Sequence, residues 1–287
     1  MNKSLKSLKT PLRYPGGKSR ACIKMEKYLP NLATYEQYRE PFIGGGSFAI
    51  HVTKLYPNLP IWVNDLYKPL ATFWQQLQES GDVMSERLLE LKEEHNTPDK
   101  AKELFKNAKE TISAEKITHL DTAINFYIIN KCSFSGLTES SSFSPQASTS
   151  NFTVRGIEKL PEYQELISNW VITNYSYEEV LIDGMDSFIY LDPPYDIKDN
   201  LYGKKGGMHK TFDHDKFAED CEACESHQLV SYNNSQLVKD RFSGWDAAEY
   251  ELTYTMRSTG DYMGDQSTRK ELLLLNYERS SLMEFFQ

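Results

Sequence analysis

The chain has 287 residues, 39% of them hydrophobic and 25% charged, an ordinary globular composition long enough for one large domain or a domain carrying an insertion. No apolar run approaches the roughly 20 residues that cross a bilayer, and no apolar signal core follows Lys3, Lys6 and Lys9, so a cytoplasmic protein is expected, its four cysteines reduced. The net charge of −9 argues at first against a phosphate-rich partner, but residues 1–60 carry ten Lys/Arg against three acids and residues 215–251 nine acids against three bases, which implies one basic face and one acidic one.

In chain order, residues 37–43 read as a strand that runs into Gly44-Gly45-Gly46 and then a helix from Ser47. Ile61-Trp62-Val63 is a second strand, ending at Asn64-Asp65. Leu66, Leu70, Phe73, Trp74 and Leu77 then mark a helix, and residues 81–131 continue as a charged, helical insertion. Between Ser133 and Thr153 lie eleven Ser/Thr with Phe134, Phe143 and Phe152 interleaved, either a mobile linker or a loop offering hydroxyls and aromatics to DNA. After Trp170-Val171-Ile172-Thr173, the fully apolar Phe188–Leu191 predicts a central strand that stops at Asp192-Pro193-Pro194-Tyr195. A Gly/Lys-rich loop (200–211), a helix near 215–227 and strands at 228–232, 248–255 and 270–277 follow. Alternating strands and helices predict an α/β, Rossmann-like, doubly wound mixed sheet, parallel apart from an antiparallel pair at its C-terminal end.

Ligands of such sheets bind at the carboxyl ends of the strands, where strand order reverses. Gly44, Gly45 and Gly46 have no Cβ to obstruct a cofactor, but Ala49 replaces the third glycine of the dinucleotide fingerprint, which disfavours NAD. Asp65, about twenty residues on, stands where an acid accepts both ribose hydroxyls. The turn Asp192-Pro193-Pro194-Tyr195 presents acceptors, the Asp192 carboxylate and the Pro193 carbonyl, beside a flat ring. That set suits an exocyclic amino group, whose two hydrogens must be held before its nitrogen becomes a nucleophile. Cys221-x-x-Cys224-x-x-His227 has metal-like spacing, but Phe217, Cys221 and Cys224 share one helical face and no second ligand pair follows, so packing is the favoured reading and no metal is assigned. His209 and His214 receive no role.

Arg13-Tyr14-Pro15-Gly16-Gly17-Lys18, Glu40-Pro41-Phe42-x-Gly44-x-Gly46, Asn64-Asp65 and Asp192-Pro193-Pro194-Tyr195 resemble, in order, motifs X, I, II and IV of the Dam-type DNA adenine-N6 methyltransferases. Asn130-Lys131-x-x-Phe134-x-Gly136-Leu137 is similar to the family's target-recognition segment, and Met256-Arg257-Ser258 with Thr268–Glu271 to its C-terminal hairpin. The resemblance implies a catalytic domain of residues 1–66 and 168–287, with a mainly helical target-recognition insertion at 67–167. It implies S-adenosylmethionine as cofactor, with Tyr14 packed on it, Lys18 near its carboxylate, and Glu40, Pro41, Phe42, Gly44, Gly45 and Gly46 around its methionine part. Asp65 would hold its ribose, Ser176 and Tyr177 would border its adenine, and Asp192 would reach it as well as the substrate. Asp192, Pro193, Pro194 and Tyr195 would act on the flipped base. Arg13, Lys131, Ser135, Gly136 and Arg155 would face double-stranded DNA, with no obligate protein partner evident. Thr138-Glu139-Ser140-Ser141 departs from the family where Arg and Asn usually stand, and a glutamate does not donate to guanine, so a GATC target is not carried over with the fold. An amino-group methyltransferase of RNA or protein glutamine, and a catalytically silent DNA-binding relative, are the alternatives.

Overall fold

A computed structural model describes residues 3–14, 18, 21–134, 141–183, 186–195, 212–252 and 269–278. Its seven-stranded sheet has the order β3-β2-β1-β4-β5-β7-β6, with β1 (Gln37–Glu40), β2 (Ile61–Asn64), β3 (Trp170–Thr173), β4 (Ser187–Leu191), β5 (His227–Asn233), β6 (Asp246–Leu252) and β7 (Arg269–Leu275). The first five are mutually parallel, and β7 runs antiparallel to both β5 and β6. This is the mixed, doubly wound α/β sheet that the alternation of elements predicts. The chain works outward from β1 to β3 and then crosses back to β4, so the order reverses between β1 and β4.

The strands that are apolar without interruption lie where both faces are covered. On β4, Phe188 and Tyr190 enter one apolar layer while Ile189 and Leu191 enter the other; on β7, Leu273 and Leu275 alternate likewise with Leu272 and Leu274. A strand has period two, and a run of four leucines satisfies both layers at once.

Between β2 and β3 the chain is helical. It forms α4 (Lys68–Glu94), α5 (Pro98–Thr111), α6 (His119–Cys132), α7 (Pro145–Ser150), α8 (Val154–Ile157) and α9 (Leu160–Leu166), after α1 (Lys3–Ser7), α2 (Cys22–Glu26) and α3 (Ser47–Leu55). Hydroxyls define the starts of four of these helices: Thr97, Thr118, Ser144 and Thr153 accept the N–H of Lys100, Asp121, Ala147 and Gly156. The Ser/Thr-rich stretch is therefore structured over residues 141–153, with Phe152 1% exposed and Phe143 packed on Phe105 at 5.7 Å. The first half of α4 lies against the sheet, where Gln78 donates to the carbonyls of Ile167 (2.7 Å) and Trp170 (2.8 Å). The helix then bends at Ser80, which has non-helical dihedrals, beside Gly81, where a Cβ would come within 2.9 Å of Gln164 on α9. Among the described residues no helix is long and apolar enough to cross a membrane.

After β4 come α10 (His214–Ala223) and α11 (Gln236–Arg241). Cys221 and Cys224 lie buried in the apolar layer with Phe217, and His227 at the start of β5 pairs through Nδ1 with the Tyr35 hydroxyl at 2.6 Å. α10 ends at Ala223, so Phe217 and Cys221 on it and Cys224 just after it meet in one apolar layer without sharing a helical face. His209 falls outside the described residues.

Candidate active site

Two turns sit at the carboxyl ends of β1 and β4, on either side of the point where strand order reverses. Gly44 and Gly46 have φ of +49° and +66°, a left-handed conformation that favours glycine. A Cβ on Gly46 would stand 2.5 Å from the Trp74 ring, whose Nε1 donates to the Gly44 carbonyl at 3.1 Å. On the other side Tyr14 closes over the turn, so that a Cβ on Gly44 or Gly45 would meet it at 2.9 Å, and the Thr10 hydroxyl donates to the Gly45 carbonyl.

Asn64 and Asp65 lock this turn to the neighbouring strand ends. Asn64 Nδ2 donates to the carbonyls of Pro41 (3.1 Å) and Tyr175 (3.0 Å), while its Oδ1 accepts the Thr173 hydroxyl and the Tyr175 N–H, each at 2.8 Å. Asp65 Oδ2 accepts the Gly44 N–H at 3.1 Å and Oδ1 the Tyr67 N–H at 2.9 Å. Burial pushes its carboxyl up to about 6, against the pull of those two bonds. A carboxylate has about four acceptor positions, so each oxygen keeps capacity for one further donor.

Phe42 and Tyr177 stack at 5.5 Å and pack with Phe212 and Phe217, and the Tyr177 hydroxyl donates to Asp220 at 2.6 Å. Ser176 precedes this ring; its N–H donates to Glu179 at 3.2 Å and its hydroxyl to Glu178. Glu40 is 2% exposed and accepts the Tyr38 hydroxyl at 2.8 Å. Burial, with the negative charges of Asp192 and Asp65 adding to it, holds its carboxyl well above the usual range.

Asp192 belongs to a polar cluster inside an otherwise apolar setting. Its Oδ1 receives the Lys18 ammonium at 3.1 Å and the Ser231 hydroxyl at 2.5 Å, and Tyr190 donates to Ser231 at 3.2 Å. Lys18 also reaches Glu271 at 3.5 Å and the Tyr195 hydroxyl, which in turn donates to Glu271. Burial raises the Asp192 carboxyl above its ordinary value, as does Glu271, while Lys18 and Ser231 oppose it. Burial works against the Lys18 charge, yet Asp192 and Glu271 outweigh it and hold its pKa above that of a free lysine. Pro193 is buried, Pro194 half-buried, and the Tyr195 ring stacks on Tyr232 at 5.9 Å with 25° between planes. Tyr232 is held in turn by His214 Nδ1.

A second basic locus lies where the N-terminal segment meets α6. Arg13 and Asn130 clasp each other, the Arg13 N–H donating to Asn130 Oδ1 at 2.9 Å and Asn130 Nδ2 to the Arg13 carbonyl at 2.6 Å. The guanidinium donates to the Ser133 carbonyl at 2.7 Å. Lys131 lies 5.2 Å from the Tyr127 ring, and burial, then the nearby Arg13 charge, lowers its ammonium to about 8. Arg155 stands exposed on α8, which is tied to α4 through Ser85 at 3.1 Å. Ser135, Gly136, Pro15–Gly17, Thr138–Ser140, Met256–Ser258 and Thr268 lie outside the described residues.

The structure therefore gathers Tyr14, Gly44, Gly45, Gly46 and Asp65 at one turn, Phe42 and Tyr177 beside it, and Lys18 with Asp192 and Tyr195 at the other. Lys18, expected near a cofactor carboxylate, here contacts the Asp192 carboxylate. Sequence reasoning gave no site role to Ser231, to the His214–Tyr232 pair or to Glu271. Its signals for Glu271 are the Thr268–Glu271 resemblance and an acid directly before four leucines.

A sheet in this order, with a glycine turn after its first strand and an acceptor-lined turn after its fourth, defines a Rossmann-like methyltransferase fold. The sequence model of the D12 class N6 adenine-specific DNA methyltransferases matches residues 14–256, and the chain belongs to that family. It is 21% identical over 276 residues to the type II methyltransferase M.CviBI of Paramecium bursaria Chlorella virus NC1A, covering 94% of this chain and 100% of that one. It is 25% identical over 197 residues to the type II methyltransferase M.MjaIII of Methanocaldococcus jannaschii, covering 64% of this chain and 68% of that one.

Proposed function

We propose that this DNA methyltransferase transfers a methyl group from S-adenosylmethionine to N6 of an adenine flipped out of duplex DNA at a specific site, in the cytoplasm or nucleoid. The observation that carries the reading is the state of Asp192. Lys18 and Ser231 both take Oδ1, which among the described residues leaves Oδ2 open as an acceptor on a carboxylate whose charge Lys18 supports.

The residues present fit the cofactor. The turn Gly44-Gly45-Gly46, held by Tyr14 and Trp74 beside Glu40 and Pro41, is the proposed seat of its methionine part, Asp65 retains acceptor capacity for two ribose hydroxyls, and Phe42, Tyr177 and Ser176 form an aromatic and hydroxyl wall for its adenine. When bound, the cofactor supplies an electrophilic methyl group. Asp192 Oδ2 and the Pro193 carbonyl accept the two N6 hydrogens, which withdraws the nitrogen lone pair from conjugation, and Tyr195, fixed by Tyr232, supplies a stacking surface for the extruded base. Bound there, the cofactor would supply its methyl group to N6, and Asp192 would be the base for the N6 proton given up in exchange. Alignment and electrostatics carry the rate, with no covalent enzyme intermediate.

Arg13 and Lys131, brought together at the C-terminal end of α6, supply positive charge for the DNA, with Arg155, Ser135 and Gly136 as further proposed contacts. Affinity should fall with salt, and Arg13→Ala should reduce the slope of log affinity against log salt by about 1.

In a labelled-methyl assay, Asp192→Ala should lower transfer at least about a thousandfold while calorimetry shows cofactor affinity within a few-fold of wild type. Near-normal methylation by that variant would sink the assignment of Asp192.

A further inference from the structure

Glu271 is 3% exposed, the third residue of β7, and the four residues after it are leucines buried on both sides of the sheet. A carboxylate there is expensive to bury and contributes nothing to packing, a local conflict of the kind that marks functional positions. Its register opposite Asn233 of β5 and Tyr250 of β6 places it at the edge of the Asp192 cluster, and its contacts there are with Lys18 and Tyr195. Resting on the methyl-transfer reading above, we infer that Glu271 is a positioning residue. By holding the Lys18 ammonium and the Tyr195 hydroxyl together, it keeps Lys18 on Oδ1 of Asp192, reserves Oδ2 for the substrate amino group, and fixes the Tyr195 ring against Tyr232.

The arrangement explains why Lys18 needs two carboxylates. With Asp192 alone, the ammonium would compete fully with the amino group for the same carboxylate, and a buried lysine would have one counter-charge that changes partners during each turnover. Glu271 supplies a counter-charge that stays. The same residue accepts the Tyr195 hydroxyl, so the phenol end of that ring is tied to a carboxylate as well as to Lys18. Among the described residues, the charged and titratable groups that face Asp192 are Lys18 from the N-terminal segment, Glu40 from β1, Tyr190 on β4 itself and Glu271 from β7, with the Ser231 hydroxyl from β5.

The test compares Glu271→Gln and Glu271→Leu with wild type in steady-state methyl transfer across pH, with the Lys18 ammonium followed by NMR in protein labelled with 15N-lysine. Glu271→Gln keeps hydrogen-bonding atoms and loses the charge. It should lower kcat about tenfold, leave KM for DNA and cofactor within about threefold, and move the acid limb of kcat to lower pH, because a negative neighbour of Asp192 is gone. Its Lys18 ammonium protons should exchange with water at least about tenfold faster than in wild type. Glu271→Leu should lower kcat by a further factor of about ten, and by less when introduced into Tyr195→Phe, where the tether is already cut. Circular dichroism and cofactor calorimetry establish that Glu271→Gln is folded, so the result stands even if Glu271→Leu is not. A wild-type kcat and acid limb in Glu271→Gln, or unchanged exchange at Lys18, would overturn the inference. A wild-type enzyme that methylates no adenine contradicts the functional reading instead, and the exchange of Lys18 still decides whether Glu271 holds it.

Discussion

Asp65 and Asp192 both stand at the carboxyl end of a parallel strand, Asp65 buried and Asp192 partly so, and desolvation raises the carboxyl of each. They differ in what answers them. Asp65 is held by two backbone N–H groups, Gly44 and Tyr67, so its orientation is set by the chain trace itself. Asp192 is held by two side chains, Lys18 and Ser231, one of them a charge shared with Glu271. A group that must grip the same ligand in the same way gains from a backbone frame, whereas one whose charge and contacts change during a reaction needs partners that can readjust.

The contrast breaks most directly at Lys18. Lys18→Met removes the cation that opposes burial at Asp192 and leaves the negative Glu271 beside it, so the Asp192 carboxyl should move further up. Transfer should fall about a hundredfold to a thousandfold, and the acid limb of its pH profile should move to higher pH, opposite to the shift expected for Glu271→Gln. Steady-state kinetics from pH 5 to 9 reads both. On the backbone side, Gly46→Ala sets a Cβ against Trp74 at a left-handed residue and disturbs the frame of Asp65. It should destabilise the fold by about 2–4 kcal/mol in urea denaturation, with cofactor affinity lost alongside.

Asp65 also gives a pH signature. On the proposed reading its carboxylate form accepts the ribose hydroxyls, so cofactor affinity should fall about tenfold per pH unit below about 6, read by calorimetry. The same group acts on stability with opposite sign. Its folded pKa lies above the unfolded value, so the native state holds the proton more tightly, and its contribution to stability declines as pH rises from about 4 to about 6. The smallest effect is expected at Cys221, which touches neither carboxylate. Cys221→Ala should lower stability by about 1 kcal/mol in thermal melts and leave methyl transfer unchanged, and a loss of activity there would show that the apolar layer behind β4 and β5 is coupled to the turn.

Much of this architecture is legible in the chain. Alternating apolar strands and periodic helices give the doubly wound sheet, and a glycine turn, an acid twenty residues later and a Pro-Pro stop after a buried strand mark both turns. These signals are local, each carried by a few consecutive residues. Ser231 and Glu271 are not legible in that way, because they reach Asp192 only through the pairing of β4 with β5 and of β5 with β7, which joins positions 39 and 79 residues away. His214 gives no signal for a similar reason, since its partner Tyr232 lies on another element. The hydroxyls of residues 141–153 read as linker composition because capping is a matter of geometry at a helix start, and composition does not reveal it.

Whether the turn from Asp192 to Tyr195 methylates the amino group of adenine is decided by incubating duplex DNA with the enzyme and methyl-labelled S-adenosylmethionine, digesting it to nucleosides and separating them by chromatography. Label is expected in N6-methyldeoxyadenosine with wild type and none with Asp192→Ala. Label in a methylated cytosine, or adenine methylation undiminished in Asp192→Ala, would contradict it.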